Sequence, residues 1–105
     1  MQYCSVNNIK LCYRDVGNGE TIIFLHGLGS NSADWQQQID CFSQKYRVIA
    51  IDCRGHGRSD KPNGKYTIPL FADDMTQLFK YLEIESFHLV GFSMGGMVAF
   101  QIAVD

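Results

Sequence analysis

The 105-residue sequence has no apolar run near the roughly 18 residues that a membrane-spanning helix needs, and its N-terminus lacks the basic and apolar stretches of a signal peptide. We therefore expect no membrane partner and a cytoplasmic location. A net charge of −2 gives no electrostatic reason to expect nucleic acid as a partner. The composition, 46% apolar and 19% charged, is typical of a soluble globular domain.

The sequence also lacks a C-x-x-C pair, which argues against a zinc or thioredoxin-type site. A predicted hairpin turning at Asn7-Asn8 places Tyr3 opposite Cys12, so that Cys4 and Cys12 point to opposite faces. That geometry is poor for a disulfide, although a one-residue shift in register would reverse it. We expect reduced thiols and no bound metal.

The order of strand and helix patterns predicts the fold class. Continuous β-rich apolar runs follow the hairpin arms (residues 2–6 and 9–16) and predict three buried strands, at residues 21–25, 47–51 and 87–90. A helical pattern follows each strand: a helix starting near Ser32 with Trp35, Ile39 and Phe42 on one face, a stripe of Phe71, Met75, Leu78, Phe79 and Leu82, and an apolar, buried helix at residues 97–104. This order predicts an α/β fold, a mostly parallel sheet flanked by helices behind an antiparallel hairpin.

Three glycine-rich loops, at residues 26–31, 52–65 and 91–95, follow the three buried strands. Parallel sheets carry their chemistry at the carboxyl ends of the strands. We therefore expect these three loops to form the functional site.

The loop Gly91-Phe92-Ser93-Met94-Gly95 matches G-x-S-x-G between a predicted strand and a predicted helix, which is the context of a nucleophile elbow. Such a turn holds Ser93 in strained backbone angles that expose its hydroxyl, and side chains at positions 91 and 95 would collide with neighbouring backbone. The helix N-terminus then directs its N–H groups to where an oxyanion would form, with Met94 as the first donor. Ser93 is the predicted catalytic nucleophile.

A second oxyanion donor is expected from His26-Gly27-Leu28-Gly29, which follows the strand predicted to neighbour the serine strand. The Leu28 N–H is the natural candidate, and Gly27 lets the backbone approach a substrate closely. An incidental serine in an ordinary turn would leave this second loop unexplained. A dinucleotide site would need an acidic residue about 20 positions after its glycines, beyond the end of this sequence.

Together, His26-Gly27, residues 52–59 and residues 91–96 resemble the three N-terminal signatures of the α/β-hydrolase superfamily, across essentially the whole chain. Residues 62–74 and 93–97 are most similar to those of 3-oxoadipate enol-lactonases and related carboxylesterases. The resemblance implies an eight-stranded, mainly parallel sheet and acyl transfer to serine followed by hydrolysis, with no cofactor. It also implies an ester, lactone, thioester or activated ketone as substrate, because relatives that form alkyl esters, haloalkane dehalogenases and epoxide hydrolases, have aspartate at position 93.

The three histidines all precede Ser93, whereas the order in this fold is serine, acid, histidine. We expect His26 to order the oxyanion loop, His56 to brace the loop at residues 52–65, and His88 to be a satisfied core residue. The triad acid and base are then expected beyond residue 105. Residues 1–105 are accordingly predicted to be the N-terminal part of one domain, incomplete and truncated after the elbow helix.

The remaining residues singled out in and near the loops are predicted mainly to stabilise the fold. Asp52 and Asp60 are predicted to order their loop, and Trp35 to anchor the core. Arg54 and Arg58 either hydrogen-bond loop carbonyls or carboxylates, or bind a substrate carboxylate.

The predicted function is hydrolysis of a small-molecule carboxylic ester or lactone by a longer parent enzyme. A C–C-bond hydrolase or an acyltransferase of the same fold is the alternative within enzymes. From another class, the chain is an inactive truncated fragment or a binding module. Because the serine strand would lack a partner on its far side, the isolated chain is expected to be inactive and to self-associate.

Overall fold

The structure is a computed structural model that describes residues 1–104. Its five strands form one sheet in the order β1-β2-β4-β3-β5. The strands are β1 (Gln2–Val6), β2 (Ile9–Val16), β3 (Thr21–Leu25), β4 (Arg47–Ile51) and β5 (His88–Gly91). Three helices connect or follow the parallel strands: α1 (Gln36–Phe42), α2 (Ile68–Tyr81) and α3 (Met94–Val104).

The N-terminal hairpin has the predicted register. Asn7 and Asn8 both have positive φ, 49° and 63°, as a two-residue turn of matching twist requires. Val6 then pairs with Ile9 and Tyr3 with Cys12, so Cys4 and Cys12 point to opposite faces. All four cysteines are free thiols, as expected.

The strands that follow the hairpin bring three loops to one edge. Strands β4 and β5 both pair in parallel with β3, so the carboxyl ends of these three strands lie side by side. Strand β2 is antiparallel to both β1 and β4, and four of the five strands therefore run in one direction. The predicted mostly parallel sheet with an antiparallel hairpin is confirmed.

Helices cover both faces of the sheet, and side-chain caps start the 3-10 turn before α1 and the helix α2. Asn31 accepts a hydrogen bond from the Ala33 N–H and starts a 3-10 turn, Ser32–Trp35, which continues into α1. Thr67 caps α2 by accepting from the Leu70 N–H. The larger core cluster lies between the sheet and helices α2 and α3, while a smaller one around Ile39 lies under α1. None of the described helices is long and apolar enough to cross a membrane.

Two predictions about burial are wrong. The side chain of His88 is 67% exposed and lies 3.6 Å from a Glu20 carboxylate oxygen, so His88 is no core histidine. Helix α3 starts at Met94 and is only partly buried, since Phe100 on its outer face is 74% exposed. Both departures have one cause: within the described residues β5 pairs only with β3, so it is an edge strand, and no element packs beyond it.

Candidate active site

Ser93 occupies the sharp turn between β5 and α3, in the backbone conformation predicted for it. Its φ is +56°, in the left-handed region that non-glycine residues rarely adopt. The side chain is exposed rather than packed in the sheet. The turn therefore presents the hydroxyl at the carboxyl edge of the sheet.

Glycine is required on both sides of this serine because the turn folds tightly on itself. A Cβ on residue 91 would lie 2.2 Å from the carbonyl oxygen of Gly95. A Cβ on residue 95 would lie 2.2 Å from the carbonyl oxygen of Leu25 and 2.7 Å from that of His26. Only hydrogen fits at either position, as the sequence predicts.

The His26–Gly27 loop lies directly beside the serine. The Phe92 N–H donates to the Leu25 carbonyl oxygen (3.1 Å), which joins the end of β5 to the end of β3. A Cβ on Gly27 would lie 3.5 Å from the Cβ of Ser93. The two loops predicted to form one site are therefore in contact.

The backbone N–H groups predicted to bind an oxyanion, those of Leu28 and Met94, lie in these two loops. Among the described residues, neither the Leu28 N–H nor the Met94 N–H donates a hydrogen bond. Met94 is the first residue of α3, whose dipole places partial positive charge at that end. Leu28 and Met94 also line one groove with Ser93. The location of these N–H groups beside Ser93 is the one that an oxyanion-binding pair needs.

His26 orders this loop through both ring nitrogens. The Cys53 N–H donates to Nε2 (3.0 Å), so Nε2 is an acceptor and Nδ1 carries the proton. Nδ1–H then donates to the Gly27 carbonyl oxygen (2.7 Å). Burial lowers the pKa of His26, which keeps the ring neutral in this arrangement. With both nitrogens engaged, His26 positions the loop and is not available as a base.

The other two histidines are equally unsuited to activate Ser93. His56 is buried, its Nδ1 lies 3.0 Å from the Arg54 carbonyl oxygen, and its ring packs 4.9 Å from that of His26. It braces the loop at residues 52–65, as expected. His88 lies at the amino end of β5, the opposite end from Ser93. Among the described residues, no histidine hydrogen-bonds to the Ser93 hydroxyl.

Asp52 and Asp60 hold the loop after β4, as predicted. Asp52 accepts from the Ser32 N–H (2.7 Å) and the Arg58 N–H (3.1 Å), and thereby joins that loop to the start of the α1 segment. Asp60 accepts from the Lys10 N–H (2.8 Å). The described residues contain no group of three or more metal-binding side chains.

The pairing of Arg54 with Asp74 is not predicted from the sequence. The Arg54 guanidinium donates two hydrogen bonds to this carboxylate, from Nε (2.8 Å) and Nη2 (2.9 Å), and Asp74 is fully buried. Asn7 donates to the same carboxylate from the hairpin turn (2.9 Å). The sequence does indicate that Asp74 is buried, because it falls on the apolar stripe of α2, between Phe71 and Met75. The carboxylate raises the pKa of Arg54, and of the two predicted roles for Arg54, pairing within the fold is the one observed.

Two cavities flank the serine loop. One, of about 230 Å³, is lined by His26, Gly27, Asp34, Trp35 and Phe92. Trp35 packs its ring 4.7 Å from that of Phe24, as a core anchor would, and also faces this cavity. The other, an open groove of about 350 Å³, contains Ser93 itself.

Known proteins of related sequence and structure match most of the chain. 3-Oxoadipate enol-lactonase 2 of Acinetobacter baylyi is 37% identical over 102 residues, which are 95% of this chain and 38% of that protein. Est816, described as an N-acyl homoserine lactone degrading enzyme, is 39% identical with a TM-score of 0.95, over 99% of this chain and 40% of that one. An epoxide hydrolase from Bacillus megaterium is 36% identical with a TM-score of 0.91, over 97% of this chain and 37% of that one.

The chain spans about 30–40% of the length of the relatives it matches. By name, the relatives given above are an enol-lactonase, a lactone degrading enzyme and an epoxide hydrolase. The model of the alpha/beta hydrolase fold family matches residues 20–105, which include the serine turn and both neighbouring loops. The chain therefore belongs to the alpha/beta hydrolase fold family.

Proposed function

We propose that the protein carrying this chain hydrolyses small-molecule carboxylic esters or lactones through an acyl intermediate on Ser93. The observation that carries the proposal is the backbone of Ser93, held at φ +56° beside two N–H groups that have no acceptor among the described residues. An exposed hydroxyl next to unoccupied donors suits attack on a carbonyl carbon.

In the first step the Ser93 oxygen bonds to the carbonyl carbon, and its proton passes to a base. The carbonyl oxygen becomes an oxyanion that accepts from the Leu28 and Met94 N–H groups. Each such donor is typically worth about 3–4 kcal/mol of barrier height. The bond to the alkoxy group then breaks, the leaving alcohol takes the proton, and water hydrolyses the acyl-serine to release the acid.

Serine rather than carboxylate at position 93 favours an acyl intermediate. A carboxylate nucleophile forms an alkyl ester, which suits an epoxide, whereas a serine alkoxide acylated by an ester gives a product that water can hydrolyse. We therefore favour an ester or lactone substrate over an epoxide. A C–C-bond hydrolase or an acyltransferase would use the same serine and would differ in the group that leaves or accepts.

The base and its acid partner are proposed to lie outside these 105 residues, because all three histidines are committed elsewhere or distant from Ser93. The isolated chain is then expected to have no esterase turnover. It is also expected to self-associate through β5 and α3. A reading frame that ends at residue 105 would instead favour the alternative that the protein is an inactive fragment or a binding module.

The test is steady-state hydrolysis of p-nitrophenyl acetate by the protein expressed from its complete reading frame. We expect turnover that falls by at least about a thousandfold in Ser93→Ala, the size of loss seen when a serine nucleophile is removed. Turnover unchanged in Ser93→Ala would contradict the proposal. Ser30→Ala, in the neighbouring loop, is the control and is expected to retain activity.

A further inference from the structure

The groove beside Ser93 is apolar over most of its length. Ser93 and Met94 form one part of it, and the remaining lining residues are apolar or aromatic: Leu28, Tyr66, Ile68, Phe71 and Met97. Among the described residues, no charged side chain lines this groove. Its chemistry suits a neutral, apolar group attached to the carbonyl that Ser93 would attack.

Arg54, a residue predicted as a possible binder of a substrate carboxylate, is already engaged. Arg54 is bound by the buried carboxylate of Asp74 through two hydrogen bonds, 2.8 and 2.9 Å long. A buried, doubly bonded guanidinium is not free to bind a substrate carboxylate. None of the described residues that line the groove carries a charge that could pair with an anionic substituent bound there.

Tyr66 is a wall residue whose position is fixed by several contacts. Its hydroxyl donates to the Pro62 carbonyl oxygen (2.7 Å), and its ring meets that of Phe71 edge-on at 5.9 Å. The ring lies against Gly55, where a Cβ would come within 2.1 Å of a ring carbon. Gly55 also has a φ of +80°, so both its backbone and its missing side chain favour glycine.

We propose that Tyr66, seated on Gly55, is a specificity-determining residue that limits the size of a neutral acyl group bound in this groove. The inference rests on the proposed function. The acyl group is assigned to this groove because Ser93 lines it together with Leu28 and Met94, and the acyl group stays bonded to the serine through both steps of the reaction. A series of acetate esters tests this assignment against the alcohol group.

The first test needs no variant. For the protein expressed from its complete reading frame, kcat/KM is measured with p-nitrophenyl hexanoate and with mono-p-nitrophenyl adipate, which differ only in a terminal carboxylate. We expect the hexanoate to react at least about tenfold faster, because the groove would leave that carboxylate unpaired. Equal rates, or a preference for the adipate, would overturn the proposal.

The second test varies the wall. In Tyr66→Ala, the ratio of kcat/KM for p-nitrophenyl decanoate to that for p-nitrophenyl butanoate is expected to rise about tenfold, because removal of the ring lengthens the groove. Tyr66→Phe retains the ring and is expected to keep the ratio within about twofold. Gly55→Ala displaces the ring without changing residue 66, so it is expected to raise the ratio as well.

A matched substrate series separates this inference from the proposed function. Across acetate esters of increasing alcohol size, Tyr66→Ala is expected to leave the relative rates unchanged. An unchanged acyl ratio in an enzyme that still needs Ser93 overturns the role of Tyr66 alone. Hydrolysis that does not depend on Ser93 instead overturns the proposed function.

Discussion

Gly95, in the first turn of α3, lies so close to Leu25 at the end of β3 that a Cβ on residue 95 would be 2.2 Å from the Leu25 carbonyl oxygen. This contact sets how closely the turn that presents Ser93 approaches the end of β3. It also brings the serine loop against the His26–Gly27 loop, because the His26 carbonyl oxygen would be 2.7 Å from the same atom. The close approach of two strand ends thus assembles the site.

Gly95→Ala is therefore expected to destabilise the protein by on the order of 3 kcal/mol, the upper end of the range for overpacking, and to abolish hydrolysis. Gly96→Ala is the control, since a Cβ there would lie 3.5 Å from the Gly91 carbonyl oxygen, an ordinary contact. In a helix this second change is expected to be neutral or stabilising by up to about 1 kcal/mol. Urea unfolding measures the stability of the two variants, and p-nitrophenyl acetate turnover measures their activity. Equal effects of Gly95→Ala and Gly96→Ala would contradict the role given to the Gly95 contact.

The buried ion pair of Arg54 and Asp74 predicts a second contrast between neighbours. Asp74→Ala leaves the Arg54 guanidinium buried without its partner and is expected to cost about 3–5 kcal/mol of unfolding free energy. Asp73→Ala removes an exposed carboxylate that accepts from the same Asn7 amide and is expected to change stability by less than about 0.5 kcal/mol. Denaturant midpoints compare them. If Asp74→Ala and Asp73→Ala both had similarly small effects, the Arg54–Asp74 ion pair would not be what holds the loop at residues 52–65 against α2.

The lowered pKa of His26 predicts a pH dependence of stability. The unfolded chain takes up a proton at this histidine near its ordinary pKa of about 6.5, whereas the buried neutral ring resists protonation. The unfolded state then binds more protons, so stability is expected to fall as the pH drops below about 6.5. Protonation of Nε2 would also end the hydrogen bond from the Cys53 N–H.

The measurement is the free energy of unfolding between pH 5 and 7 for His26→Gln and for His88→Gln. The slope with pH is expected to decrease in His26→Gln, while His88→Gln, at an exposed edge position, is expected to retain it. A slope unaffected by His26→Gln would show that this histidine is not the group that titrates.

The open edge of β5 and the apolar outer face of α3 predict self-association of the isolated 105-residue chain. Phe92, Met97, Phe100 and Val104 are all more than half exposed on or beside these elements. Sedimentation should show oligomers that decrease in Phe100→Glu but not in Tyr81→Glu, which alters an exposed side chain on α2. A monomer with a sharp thermal transition would contradict this expectation.

The sequence was sufficient wherever a local constraint decides the structure. Asn7-Asn8 sets the hairpin register because two adjacent positive φ angles define one turn type. The bounds of β1 to β4 follow from apolar runs that end at turn residues. The glycines at 91 and 95 follow from the steric needs of one sharp turn.

What the sequence did not predict depends on contacts between distant segments. Asp74 is buried because Arg54, 20 residues earlier, meets it across the fold. His88 is exposed because no described strand pairs with the outer edge of β5. The ring of Tyr66 lies against Gly55, a contact that no periodicity in the sequence encodes.

Covalent labelling tests the central claim, that Ser93 is the nucleophile, most directly. The protein expressed from its complete reading frame is treated with a fluorophosphonate probe, and the modified peptide is identified by mass spectrometry. We predict a single adduct on Ser93 that is absent in Ser93→Ala and retained in Ser30→Ala. An adduct on another residue, or none on a folded protein that hydrolyses esters, would contradict the account.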